Sequence, residues 1–305
     1  MSVVIKRLLC IISILAMVVY GIDSLGFFLS PFESNDGIVA VKAFHQLPEN
    51  SLDAIVIGSS HAWRGFDTRI LCDEYGVSAY NYGCHWQHSN TSLLFLQDAL
   101  TIQSPKVVLF ETFRVDPVMD TNLTGEIYYT RAIQNGEAKR EYLQQCFAGK
   151  IDRYISYYVP LTVFHSNWAN IDKSYFYSER SVAGLLSTRG FLESEAVAEN
   201  ISLKRPEDCE QNELDVSCRA VLDKYVELCR ENNIQLIFYT VPYVGEYKYF
   251  EAMEKYAAEK QCVYLNLFDI IDPVTDFQDL THLNSNGSAK VARFIGNYIK
   301  NNLDL

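Results

Sequence analysis

At 305 residues, with 49% hydrophobic and 21% charged side chains, the chain can bury one full core of roughly 200 to 250 residues and still carry an insertion. Its 20 Tyr and 17 Phe are foreign to disordered proteins. A formal charge of −12 without any dense Lys/Arg stripe argues against a nucleic-acid partner.

The first element is apolar. Lys6 and Arg7 precede LLCIISILAMVVYGI (residues 8–22), and after Asp23 and Ser24 the apolar character resumes through Leu29. About 22 such residues span a bilayer as one helix, with the basic flank on the cytoplasmic side. No A-x-A-like cleavage site follows the run, so residues 1–30 read as an uncleaved anchor rather than a signal peptide. The expectation is a single-pass protein of the cell membrane whose remainder lies outside the cytoplasm. Residues 31–50 are expected to be a linker and residues 51–305 the main domain.

Within that domain, five short runs have strand length and β-branched or aromatic content: AIVIG (54–58), AYNYG (79–83), KVVLFET (106–112), QLIFYTV (235–241) and VYLNLF (263–268). Near-continuous apolar strands suit a parallel sheet covered on both faces. Between them, residues 89–102, 213–232 and 246–260 have helical spacing; Leu214, Cys218, Val221, Tyr225 and Cys229 share one face of the second. The closing segment repeats apolar positions at Val291, Ile295, Tyr298 and Ile299 behind the capping-type residues Asn284 and Ser285. This alternation predicts an α/β fold with five parallel strands. Residues 113–212 break the rhythm. Rich in Tyr and Phe (EIYYTRAI, RYISYYVPLTVF, KSYFYSER), they read as a largely helical insertion over the sheet's carboxyl edge, where substrate specificity is usually built. A structural elaboration and a membrane-facing patch are the alternatives.

Seven cysteines lie beyond the anchor, with no C-x-x-C pair. In an exported chain a bridge between Cys209 and Cys218, closing a short loop, is one option; the other cysteines read as small buried hydrophobes. Cys84, His85 and His88 are of types that suit zinc, but with no second ligand cluster they read as polar loop residues, and no metal is expected.

Open α/β sheets bind ligands at the carboxyl ends of their strands, which is where Gly58-Ser59-Ser60-His61 falls. Gly58 permits a tight strand-to-helix turn, and a serine on that turn projects its hydroxyl over the edge. A serine hydroxyl becomes a nucleophile only when a base takes its proton and a third group orients the base. Of six histidines, only His282 follows the final strand in a loop just before the last helix, with Asp279 three residues upstream in DLTHLN. A helix N-terminus just after His282 keeps the ring neutral and able to accept a proton.

GSSH after the first strand, Gly83 in NYGC after the second, and D-x-x-H before the last helix together resemble the SGNH (GDSL-like) hydrolase superfamily. The likeness covers residues 53–112 and 213–305. It is nearest to membrane-anchored bacterial envelope members such as the D-alanyl transfer protein of teichoic acid assembly and polysaccharide O-acetylation proteins, which have GSS-type openings. It implies a three-layer α/β/α, flavodoxin-like domain. It further implies that Ser60 is the nucleophile, His282 the base and Asp279 its orienter, with the backbone N–H groups of Ser60 and Gly83 as oxyanion donors and Ser59 in the usual aspartate position. The family's G-x-N-D after the third strand is absent; the strand ends ETFRVDP, leaving Asn90, Thr112 and Arg114 as candidates for the side-chain donor. His61, Trp63 and Arg64 follow the nucleophile and are candidate substrate contacts, weighed against plain first-helix packing.

Two functions remain. One is a membrane-tethered serine esterase or O-acyltransferase acting on acyl, foremost acetyl, esters of a cell-envelope glycan or glycolipid, with a membrane acyltransferase as the partner the anchor suggests. It needs no cofactor. The other is a non-catalytic envelope module that keeps the fold to bind or assemble glycan, for which the missing Asn motif speaks.

Overall fold

A computed structural model describes residues 3–30, 36–117, 130–171 and 181–303. In chain order the described helices are α1 (Val3–Phe28), α2 (Asp36–Phe44), α3 (Ser60–Gly65), α4 (Thr68–Tyr75), α5 (Ser89–Ala99), α6 (Gly136–Phe147), α7 (Ile151–Tyr158), α8 (Leu161–Phe164), α9 (Val182–Ser187), α10 (Val216–Glu231), α11 (Phe250–Glu259) and α12 (Ser285–Asn302). The strands are β1 (Ala54–Ile57), β2 (Ala79–Asn81), β3 (Val107–Glu111), β4 (Gln235–Thr240) and β5 (Val263–Asn266). They form one parallel sheet in the order β2-β1-β3-β4-β5.

Each strand is apolar on both faces because both faces are covered. Ile55, Ile57, Val108, Phe110, Leu236 and Phe238 point into one core, shared with α5, α10 and α11. Their neighbours Ala54, Val56, Val107, Leu109, Ile237 and Tyr239 point into the other, shared with α4 and α12. The three layers are thus read directly from the alternation along each strand. α12 starts where its cap lies: the Asn284 side chain accepts hydrogen bonds from the N–H groups of Asn286 and Gly287. The direction of winding reverses between β1 and β3, so the crevice at the carboxyl end of this sheet opens between Gly58 and Thr112.

Two expectations are revised, and the optional Cys209–Cys218 bridge is not formed. The linker expected at 31–50 contains α2, whose Val41 and Phe44 are buried in the core and whose Phe44 ring stacks on Tyr82 at 4.0 Å. The main domain therefore begins before residue 51. Cys209 and Cys218 are free thiols, as are the other six cysteines; Cys209 packs with Tyr247 and Phe268, whereas Cys218 faces the core beneath α10. The expected strand 263–268 ends at Asn266 because the chain turns into a 3-10 helix at Phe268–Ile270.

Within 113–212, α6 packs on α5 and α8 on α1, along the flank of the domain rather than over the sheet edge. Among the described residues, the stretch after α9 crosses the edge. There Arg189 O accepts from Asn81 N at 2.9 Å, Trp63 O accepts from Leu192 N at 3.0 Å, and Ser194 O accepts from Ser285 N at 2.8 Å. These bonds tie β2, α3 and the start of α12 together around one end of the sheet. The first half of EIYYTRAI and all of KSYFYSER lie outside the described residues.

Candidate active site

β1 ends at Ile57 and the chain reverses into α3 within three residues. Gly58 makes the reversal with φ +138°, and Ser59, 2% exposed, caps α3 by accepting from His61 N. Ser60 is the first residue of that helix, so its backbone N–H is among the donors that a helix start leaves without an intrahelical partner.

From the other end of the chain, the loop before α12 brings His282 to Ser60: His282 Nε2 lies 2.9 Å from Ser60 Oγ. His282 Nδ1 lies 3.0 Å from Asp279 Oδ2 and 3.0 Å from Thr281 Oγ1. Asp279 also builds the loop that carries the histidine, because its Oδ1 accepts from the backbone N–H groups of Thr281 at 2.8 Å and His282 at 2.9 Å. With the ring neutral and its Nδ1–H given to Asp279, the Ser60 hydroxyl donates to Nε2. This is the geometry of a nucleophile, its base and the base's orienter.

The electrostatics fit that state. Burial holds the His282 imidazole below its ordinary pKa and outweighs the pull of Asp279, with the nearby Arg64 adding to the depression. Burial also acts to raise Asp279, but the His282 and Thr281 hydrogen bonds and the imidazole charge win, holding the carboxyl down to about 2. At neutral pH the pair is a carboxylate beside a neutral ring.

The remaining residues singled out from the sequence divide. Arg64 lies one turn beyond Ser60 on α3; its Nη1 donates to Gln278 Oε1 at 3.1 Å, next to Asp279 in the chain. His61 is buried and stacks on Phe113 at 3.7 Å, with the His282 ring 5.3 Å away. Burial, then the His282 and Arg114 charges, push its pKa well down, so it is a neutral wall of the site. Trp63 is buried against Ala40, Ala43 and Leu185. Two expected donors are corrected. The Gly83 N–H is donated to Asn81 Oδ1 at 3.0 Å, because Asn81 turns inward to bond Ala62 O and Phe66 O with its amide. Asn90 donates to Cys146 Sγ at 3.2 Å, since its position on α5 faces α6 and not Ser60. Thr112 is likewise taken up, by Tyr239 O and Thr240 Oγ1. Cys84 is buried, and His88 pairs with Asp116 at 3.0 Å.

Other features have no motif to announce them. A cavity of about 170 Å³ at the ends of β3 and β4 is lined by Phe113, Arg114, Thr240, Tyr243 and Tyr247 among others. Phe113 and Tyr243 also contact His61, so its ring stands between this cavity and His282. The Arg114 guanidinium lies 5.1 Å from the ring centres of both Trp86 and Phe113. Glu111, fully buried at the end of β3, accepts from Phe113 N and Val241 N; burial raises its carboxyl to about 8, against those two bonds. The sequence signal for it was the ETF that replaces the expected motif after β3.

No protein-family model matches the chain, and no curated protein matches it. Among solved structures, the chain is similar to a protein of Desulfitobacterium hafniense assigned to the lipolytic G-D-S-L family, at 14% identity and a TM-score of 0.39, over 80% of this chain and 97% of that one. It is also similar to a protein of Bacteroides fragilis assigned as an acylhydrolase, at 11% identity and a TM-score of 0.43, over 87% and 95% of the two chains. These likenesses concern the course of the chain; the reading of the site rests on its own distances.

Proposed function

We propose that the protein is a membrane-tethered serine esterase or O-acyltransferase acting on acyl, foremost acetyl, esters of a cell-envelope glycan or glycolipid. The observation that carries the reading is the unbroken relay from Ser60 Oγ through His282 to Asp279. Ser60 Oγ attacks the ester carbonyl carbon as its proton passes to His282 Nε2. The tetrahedral intermediate then collapses, the C–O bond to the sugar breaks, and His282 returns the proton to the departing hydroxyl. The acyl group now rests on Ser60. Water activated by the same imidazole releases it as the acid, and a sugar hydroxyl in place of water makes the reaction a transfer. The Ser60 N–H and the positive charge of Arg64 support the negative charge that develops on the carbonyl oxygen. The aromatic-walled cavity beyond His61 is the place for a sugar ring.

One observation favours the non-catalytic reading: the Gly83 N–H is committed to Asn81. Fluorophosphonate labelling of the full chain, read by intact mass, separates the two. A single adduct that disappears in Ser60→Ala is expected. A folded chain that takes no adduct under native conditions would be a binding module.

The acid limb of kcat/KM against pH for an activated acetyl ester is a second check. Only neutral His282 accepts the Ser60 proton, so the rate falls about tenfold per pH unit below the histidine's pKa. Because that pKa is depressed, the limb is expected to have its midpoint below 6.5. Removing the neighbouring cation in Arg64→Gln relieves part of the depression and moves the midpoint upward. A limb centred above 6.5, or one that Arg64→Gln moves downward, contradicts the assignment of His282 as base.

A further inference from the structure

α1 is described from Val3 to Phe28, and the stretch Val3–Gly26 is long and apolar enough to cross a membrane. Every residue from Val3 to Ile22 is exposed. At about 1.5 Å per residue that bare length is roughly 30 Å, the thickness of a bilayer's hydrocarbon core. After it, the helix is held to the described remainder of the protein. Asp23, the acid inside the apolar run, is held by both Nη atoms of Arg131 at 2.9 and 3.1 Å; Gly26 packs on Pro160 and Leu161; and Leu29 O accepts from Asn167 Nδ2 at 3.0 Å. A bilayer crossed by α1 therefore ends close to Asp23, and these residues of the insertion stand at its surface.

The same part of the insertion exposes large apolar side chains among its polar ones. Of the ten exposed large apolar side chains described outside α1, four fall within residues 151–168: Ile151, Ile155, Tyr158 and Trp168. Ile151, Ile155 and Tyr158 follow the i, i+4, i+7 spacing of one face of α7. Trp168 is 70% exposed and sits one residue from Asn167, which bonds the end of α1. Aromatic residues with a polar tip, flanked by aliphatic ones, are the side chains that settle at the headgroup level.

We propose that α7 and the 3-10 turn His165–Asn170 seat the insertion on the outer surface of the bilayer that α1 spans, with Ile151, Ile155, Tyr158 and Trp168 immersed at the interface. The inference rests on the reading of α1 as an anchor. It gives the insertion a task distinct from catalysis: two attachments, one through α1 and one through this face, fix how the domain is turned above the membrane. A tethered domain with one flexible attachment sweeps a volume; this one presents its cleft at a set height to membrane-bound esters.

The test uses the full chain in phosphatidylcholine liposomes. The chain has three tryptophans, so the emission of wild type minus that of Trp168→Phe isolates Trp168. Lipids brominated near the headgroup are expected to reduce that difference at least about twofold, as for a side chain within the interface. Val274→Trp, at an exposed position, combined with Trp168→Phe is the water-facing reference and should keep its emission. Flotation and resistance to carbonate extraction read the anchor separately. A chain that floats while Trp168 stays unquenched, or is quenched no more than the reference, overturns the seating surface alone. A chain that does not float overturns both readings.

Discussion

Ester turnover is expected to fall roughly 10⁴- to 10⁶-fold in His282→Ala, the range seen when the base of a serine relay is removed. The loss follows from geometry, because Nε2 is the sole side-chain group within hydrogen-bond reach of Ser60 Oγ among the described residues. Asp279 allows a finer test. In Asp279→Asn, Oδ1 can go on accepting from Thr281 N and His282 N, so the loop keeps its shape. The new amide NH₂ then takes the place of the oxygen now 3.0 Å from Nδ1. Two donors cannot face each other, so the ring flips its tautomer and carries its hydrogen on Nε2, where it can no longer accept from Ser60. About a 10⁴-fold loss is expected. Asp279→Ala removes the orienter without imposing the wrong tautomer, and Thr281 Oγ1, 3.0 Å from Nδ1, remains to receive its hydrogen. Its loss should be smaller than that of the asparagine variant. Steady-state kinetics on an activated ester check the order; activity in His282→Ala within tenfold of wild type would remove the relay from the mechanism.

How much of this was visible in the sequence depends on distance along the chain. The strands and helices were legible because each is a local pattern, and all five apolar runs lay within two residues of the observed strands at either end. Gly58-Ser59-Ser60 was legible as a turn chemistry, and Asp279 with His282 as a pair that a single loop can hold. What the sequence concealed are contacts between distant segments. Gln278 reaches Arg64 across 214 positions, and Phe113 stacks on His61 from a different strand end. α2 resembles a linker because only about two and a half turns of weakly patterned residues suggest it; its burial is decided by Tyr80 and Tyr82, which receive Phe44. Asn90 and Gly83 failed as donors for the same reason. A polar group's partner is chosen by the fold, which sets Asn90 against Cys146 and the Gly83 N–H against the Asn81 side chain.

Gly58→Ala is expected to cost about 3 kcal/mol of stability, from a strained backbone and an overfilled contact together. At φ +138° only glycine is at ease, and a methyl group there would lie 3.0 Å from both Ala62 Cβ and Glu111 Cβ and 3.1 Å from Glu111 O. None of these neighbours is the free end of a flexible side chain: one lies in the first turn of α3, the others belong to the central strand. Relief requires α3 to move away from β3, and Ser60 moves with it. The fraction that stays folded should therefore also lose turnover by about 10²-fold, since a displacement of roughly 1 Å is enough to spoil a reacting geometry. Gly76→Ala supplies the contrast. Gly76 has φ +70° at the end of α4 but no atom within 4 Å of an added Cβ, so it bears only the backbone term, about 1 kcal/mol, and leaves the site alone. Denaturant unfolding and turnover measured on both variants separate the two effects. If Gly58→Ala and Gly76→Ala lose equal stability and both keep wild-type turnover, the close approach of β1, α3 and Glu111 is not what holds Ser60 in place.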